Sequence, residues 1–436
     1  MSNSGDPGLL TENGRAVSAE SDSGFLRLVI GLWCSVLGVL SFLLIPSVQG
    51  TVPAYMLAFA SVPVCLLVFY ENNSGQLGAY LRDWGLLAVF WFFFFAASQL
   101  SYFINGSGII TGFEYISGGS SMLFRTSSIT QSAYLLACFA TFTFFRHWDM
   151  KDLSSLFFLA AWVVAIYGIY EWLFYLITGT TGDFLVNRVF EGVEGDHTAS
   201  WSQSVSVAGL DLLRVKSTLG EPSFFSAVAV PFLFAAYLSR RWYLAMALLF
   251  CVIFTWSTSA FAGVGVGLLL LVVVGGQQRA ISITLLALAA FAMLCIIVFL
   301  PDLFRSMVTD KLTGLNESGA IRMDIDELRT KGLAELPLWN HIFGIGYGYV
   351  YGSVWSATVQ NIGWLGSACF LAFFGVPFVY CYIRGLFSVW GFGCLIILVL
   401  YIVNVAELYL PTTWAFLGLA WRHYDAARFE AAEETE

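Results

Sequence analysis

Charge is what this chain has least of. Of its 436 residues only 11% are Asp, Glu, Lys or Arg, against 58% hydrophobic. Mean hydropathy is +0.77. That balance excludes an ordinary soluble domain, so lipid is the expected solvent for most of the protein. The net charge of −9 says little about partners, because much of it sits in the polar ends. The first 24 residues lack the basic region of a signal peptide, and they and the segment 422–436 are expected to be cytoplasmic tails, the first disordered. None of the eight cysteines forms a Cys-x-x-Cys pair or lies near a histidine cluster. A zinc site and a disulfide framework are therefore not expected, and the cysteines read as small buried hydrophobes.

What the chain does have is long apolar runs. A helix needs about 20 apolar residues to cross the hydrocarbon. Twelve candidate spans result: 25–45, 53–70, 84–104, 129–146, 154–178, 222–239, 242–257, 259–275, 280–300, 355–383, 386–405 and 409–421. The polar Trp256-Ser257-Thr258-Ser259-Ala260 run suggests a tight turn that keeps 242–275 from being one span. The expected architecture is an all-α polytopic membrane protein whose membrane domain covers 25–421.

Sidedness follows from the short loops. With the N-terminus inside, Arg27, Arg82, Arg146, Lys151, Arg240, Arg241, Arg279, Arg384, Arg422 and Arg428 fall in cytoplasmic segments. The outside turns 46–52, around 257, and 406–408 carry no Lys or Arg. Both termini are then cytoplasmic. Nine further cations, Arg125, Arg188, Arg214, Lys216, Arg305, Lys311, Arg322, Arg329 and Lys331, gather in three long outside loops, 105–128, 179–221 and 301–354. Attraction to anionic inner-leaflet lipid cannot place them there.

The second loop ends in RVKSTLGEPS just before the chain re-enters the membrane. Alternating Ser and Val at 202–207 suggests extended structure, in which Arg214 and Lys216 would point the same way. Pro222 suits the first turn of the next helix, which puts Glu221 beside that helix's N-terminus with the Ser223 hydroxyl near it. Glu221 is thus either a helix-end charge or part of a site. The third loop contains IRMDIDELRTK after a candidate N-cap, Ser318, with Gly332 as its stop. This reads as an amphipathic helix at the outer interface, with Arg322, Asp326 and Arg329 on one face, either as a salt-bridge ladder or over a cavity. LPLWNHIFGIGYGYVYG follows as an irregular, glycine-rich return that includes Tyr347. It lacks the Lys and Ser/Thr of a phosphate loop, and neither nucleotide nor nucleic acid is an expected partner. Glu171 and Glu407 lie within or at the edge of spans, as site groups or as carboxylates that reach the interface.

Four stretches in order, RVKSTLGEPSFFSAV, TWSTSAFAGVGVG, SGAIRMDIDELRTKGLAELPLWNHIFGIGYG and ATVQNIGWLGSACFLAFFG, resemble the O-antigen polymerase (Wzy) and O-antigen ligase superfamily over about residues 200–375. The resemblance implies a GT-C type membrane glycosyltransferase of the bacterial inner membrane with a periplasmic site. Its substrate would be an undecaprenyl-diphosphate-linked oligosaccharide, with a chain-length regulator as a further candidate partner beside the bilayer itself. Ligases of the superfamily carry an Arg in the Ser-rich turn and a His at the late-span entry. Ala260 or Phe261 and Gln360–Asn361 stand there in this chain, which favours a repeat-unit polymerase over a ligase acting on lipid A core. A transporter is the third alternative. The chemistry suits the residues: a sugar hydroxyl attacks an anomeric carbon and a lipid diphosphate leaves. Arg214 and Arg322 are expected to hold the leaving diphosphate and Glu221 to act as base. Lys216, Ser223, Arg329, Tyr347 and Asn361 are expected to bind substrate. Neither metal nor cofactor is expected.

Overall fold

The computed structural model describes residues 25, 28–33, 53–72, 74–105, 126–150, 152–182, 204–207, 210–219, 221–274, 278–299, 301–305, 309, 313, 334, 336–346, 354–403 and 408–433. They are overwhelmingly helical. The helices are α1 (Pro53–Asn72), α2 (Ser74–Asn105), α3 (Thr126–His147), α4 (Leu153–Thr178), α5 (Pro222–Leu238), α6 (Trp242–Phe254), α7 (Thr258–Val274) and α8 (Gln278–Phe299). After the short α9 (Leu338–Phe343) come α10 (Val354–Ile383), α11 (Val389–Val403) and α12 (Pro411–Glu433). Every expected span from 53–70 onward falls on a helix, and most of 25–45 lies outside the described residues. Six helices, α1, α2, α3, α4, α8 and α10, are long and apolar enough to cross a membrane. Helices α5, α6, α7 and α11 are apolar but shorter. The turn expected at 256–260 is present: α6 stops at Phe254 and α7 begins at Thr258.

The all-α expectation needs one addition. Ser204–Val207 and Leu210–Leu213 form an antiparallel hairpin, β1 and β2, with Ser204 opposite Leu213. The Ser/Val alternation is what makes this segment strand-like.

Helix α5 is the axis of the bundle, with every residue but Ser223 and Tyr237 buried. Lipid tails are as apolar as the side chains they would replace, so packing rather than water exclusion holds such a core together. Aromatic rings supply much of it. Phe157 of α4 and Phe416 of α12 each meet Phe232 of α5, with ring centroids 4.8 Å apart in both pairs. Trp390 of α11 closes the group at 5.3 Å from Phe416. Cys65, Cys138, Cys251, Cys381 and Cys394 are buried as expected, whereas Cys369 is exposed, lying on α10, and Cys34 is outside the described residues.

At the end of the bundle where α3 stops, an ionic network ties early and late helices together. Arg146 pairs with Asp83 of α2 at 2.9 Å and, through Nε and Nη2, with both oxygens of Asp425 of α12. His147 reaches Asp83 at 2.7 Å, and Arg422 pairs with Asp149 at 2.8 Å.

Candidate functional site

The segment between β2 and α5 is non-helical backbone inside a helical protein, so each of its polar groups needs a partner. The end of α6 supplies the first ones. A helix leaves its last carbonyls unpaired, and these carry the negative end of its dipole. Val215 donates its N–H to Phe254 O at 2.8 Å, and Arg214 donates from Nε to Thr255 O at 3.0 Å. The half-buried Arg214 is thereby fixed at the tip of α6.

Two residues on, the chain turns the other way. Ser217 takes φ +52°, which ends the two-residue alternation of the strand. Arg214 and Lys216 take different partners: the first meets the end of α6, the second meets α4. The Lys216 ammonium lies 2.9 Å from Glu171 Oε1, and both side chains are completely buried. Glu171 Oε2 accepts from the Ser217 N–H at 2.9 Å, and the Ser217 hydroxyl donates to Val164 O at 2.7 Å. Gly168 makes room for this. A Cβ there would stand 3.1 Å from both the Val215 side chain and Cys251 Sγ, tighter than such contacts normally run. Glu171 is thus an inward-facing anchor, not a carboxylate that reaches the interface, and Lys216 points into protein. An ion pair in so dry a place is tolerated only when its remaining hydrogen-bond positions are filled. The backbone amide of Ser217 contributes to that here.

After a 3₁₀ turn at Ser217–Leu219, Glu221 occupies the N-cap of α5 with Pro222 at the first helical position, as the sequence suggests. Its carboxylate makes no capping bond to the helix amides. Oε1 instead accepts from the Ser223 hydroxyl at 2.5 Å, and the side chain is half-buried. A carboxylate held by one hydroxyl beside a helix N-terminus can take a proton from a substrate hydroxyl without first losing a cap.

The α6–α7 turn forms the neighbouring wall. Ser257 and Ser259 hydroxyls lie 2.8 Å apart, and Trp256, at φ +47°, buries an indole N–H that has no hydrogen-bond partner among the described residues.

Asn361 belongs to a different feature. Helix α10 breaks at Gly363, where φ is +65°. Carbonyls freed by the break accept from the chain after α9: Ile345 N–H to Gln360 O at 2.8 Å and Gly346 N–H to Asn361 O at 3.1 Å. Gly344, at φ +80°, and Gly363 cross so closely that a Cβ on either would collide with the other's backbone segment. Near the break Gln360 Oε1 and Ser367 Oγ are buried with no hydrogen-bond partner among the described residues.

The structure brings Arg214, Lys216, Glu221 and Ser223 onto one anchored segment and places Asn361 at the α10 break. Arg322, Arg329, Tyr347 and Glu407 lie outside the described residues, as does the expected helix after Ser318. Glu171 was visible in the sequence as an intramembrane carboxylate, but its partner was not. Thr255 and Ser367 were missed, and their only signal was polarity inside apolar runs, whereas Trp256 was read only as part of the polar turn and Gln360 only as the residue at the late-span entry. Among the described residues no group of three or more His, Cys, Asp or Glu is arranged to hold a metal ion. Asp324 and Asp326 form an Asp-x-Asp pair that the metal-free expectation passes over, and both lie outside the described residues. No protein-family model, curated protein or solved structure matches this chain.

Proposed function

We propose that this chain is a polysaccharide repeat-unit polymerase. In this reading it spans the bacterial inner membrane about twelve times in a GT-C type arrangement, with both termini cytoplasmic. It transfers a growing glycan from undecaprenyl diphosphate onto a lipid-linked repeat unit at the periplasmic face. The observation that carries it is the anchored segment 214–221. A fully buried ion pair and the end of α6 fix its backbone, and a guanidinium and a carboxylate flank the anchor.

The acceptor's hydroxyl oxygen attacks the anomeric carbon of the donor glycan. Its proton passes to Glu221, and the bond from that carbon to the diphosphate oxygen breaks with its electron pair going to the leaving group. Arg214, with Arg322 from the third outer loop, stabilises the charge that develops on the diphosphate. Ser223 orients the Glu221 carboxylate. Lys216 contributes by holding the segment, whereas Arg329, Tyr347 and Asn361 are assigned to the glycan. A transporter is the second reading, favoured by one observation: a helix broken at Gly363 with buried polar side chains beside it.

The test is the glycan profile of a strain lacking this chain. The proposal expects the polymer ladder to collapse to one repeat unit while lipid-linked repeat accumulates on the outer face. Accumulation on the inner face would replace it with the transporter reading, and an intact ladder unattached to lipid A core with the ligase reading.

A further inference from the structure

Two independent rulers fix the depth of the anchored segment. Both start at one contact, where Arg241 donates to the Ser155 hydroxyl at 2.8 Å and lies over the Phe158 ring at 4.4 Å. Arg240, Arg241 and the exposed Trp242 and Tyr243 mark this level as a membrane interface. Along α6, from Arg241 to Thr255, the chain climbs about 21 Å at ~1.5 Å per residue. Along α4, from Ser155 to Glu171, it climbs about 24 Å. The rulers agree because the helices are packed side by side: Trp172 meets Phe254 at 4.4 Å, and Cys251 Sγ donates to Ala165 O.

Helix α4 then continues for roughly 10 Å beyond Glu171 to Thr178, as the helical rise requires. Helix α6 does not continue. It has 13 residues, against 26 in α4, and three-residue turns hold it at both ends. Against a hydrocarbon layer of about 30 Å, the tip of α6 and Arg214 with it fall roughly 5–10 Å short of the outer edge. Helix α6 presents an outward apolar face up to its last turn, with Met246, Leu249 and Ile253 exposed along it. A short apolar helix in contact with lipid is accommodated by local thinning of the bilayer.

We infer that α6 is a lipid-contacting surface that draws the outer face of the bilayer down by roughly 5–10 Å beside Arg214. The partner is the phospholipid leaflet. The consequence is a sideways path along which an anionic headgroup reaches the guanidinium without its acyl chains leaving the membrane. The inference rests on the membrane-spanning, outward-facing part of the reading above and is independent of which group is transferred.

Ile253 on α6 and Ile166 on α4 give a matched pair, both exposed and at nearly the same height above the shared contact. The experiment places a nitroxide at Ile253→Cys or Ile166→Cys in the full chain, with Cys34, Cys295 and Cys369 changed to Ser. Collision rates with oxygen and with a polar nickel chelate are then measured in phosphatidylcholine nanodiscs. With 18-carbon acyl chains the expected result is a several-fold higher nickel-to-oxygen ratio at 253 than at 166. With 14-carbon chains the difference should shrink toward none. Leu249→Cys, also exposed on α6, provides a second reporter, expected between the two. Equal depth at 253 and 166 in the thicker bilayer would overturn the inference. So would a difference that does not depend on acyl length, since that would mark a water-filled pocket. Neither readout uses polymer formation, so a failed transferase assay and a flat bilayer are separate results.

Discussion

Two ionic clusters sit toward opposite ends of this bundle, one partly open to water and one fully buried, and they are built differently. The one around Arg146 joins helix to helix. Its guanidinium pairs with Asp83 and with both oxygens of Asp425, and Asp425 is 43% exposed, so water shares part of the charge. The one around Lys216 joins a loop to a helix. Both of its ions are at 0% exposure, and a backbone amide completes it. The first cluster closes a structure that the helices already specify. The second holds a segment that turns at Ser217, where φ is positive, against the side of α4. Arg214 and Glu221, which flank that anchor, are only half-buried. Rigid support beneath partly open polar groups is what a site for charged chemistry requires.

The contrast can be broken by removing one ion from each cluster. Lys216→Met strands the Glu171 carboxylate, and unpaired buried charges cost about 3–5 kcal/mol. Unfolding in detergent should show a loss of that size, and Lys216→Met combined with Glu171→Leu should recover much of it. A single mutant as stable as the parent would remove the anchor from this account. Arg146→Gln should cost less, about 1–3 kcal/mol, because His147 still meets Asp83 and Asp425 gains water. A loss equal to that of Lys216→Met would erase the distinction between the clusters. Arg422→Lys keeps the charge opposite Asp149, which is 59% exposed, and should change stability by no more than about 1 kcal/mol.

Much of this architecture was legible because a span is a long local signal. The break between α6 and α7 could be read from Ser257, Thr258 and Ser259, the hairpin from alternating Ser and Val, and the start of α5 from Pro222. Glu221 and Ser223 were found together because they are neighbours in sequence. The anchor was not legible. Glu171 and Lys216 are 45 residues apart, and nothing local says which of two nearby cations turns inward. Strand periodicity relates Arg214 to Lys216 but does not reveal that one takes a carbonyl at the end of α6 and the other a carboxylate on α4. The shortness of α6 was likewise visible only as a polar turn, because a residue count does not reveal which helix stands beside it. For Arg322 and Arg329 the comparison stops at the sequence.

The central claim is that the segment above the Lys216–Glu171 anchor performs glycosyl transfer, with Glu221 taking the proton. The most direct measurement is polymer formation from undecaprenyl-diphosphate-linked repeat units by the purified chain in nanodiscs, comparing the parent with Glu221→Gln at equal amounts of folded protein. Gln keeps the shape and still accepts from Ser223, so stability should stay within about 0.5 kcal/mol. The account predicts a fall in rate of at least ~100-fold, the lower end of what a general base contributes. Polymer of parental length at the parental rate would contradict it.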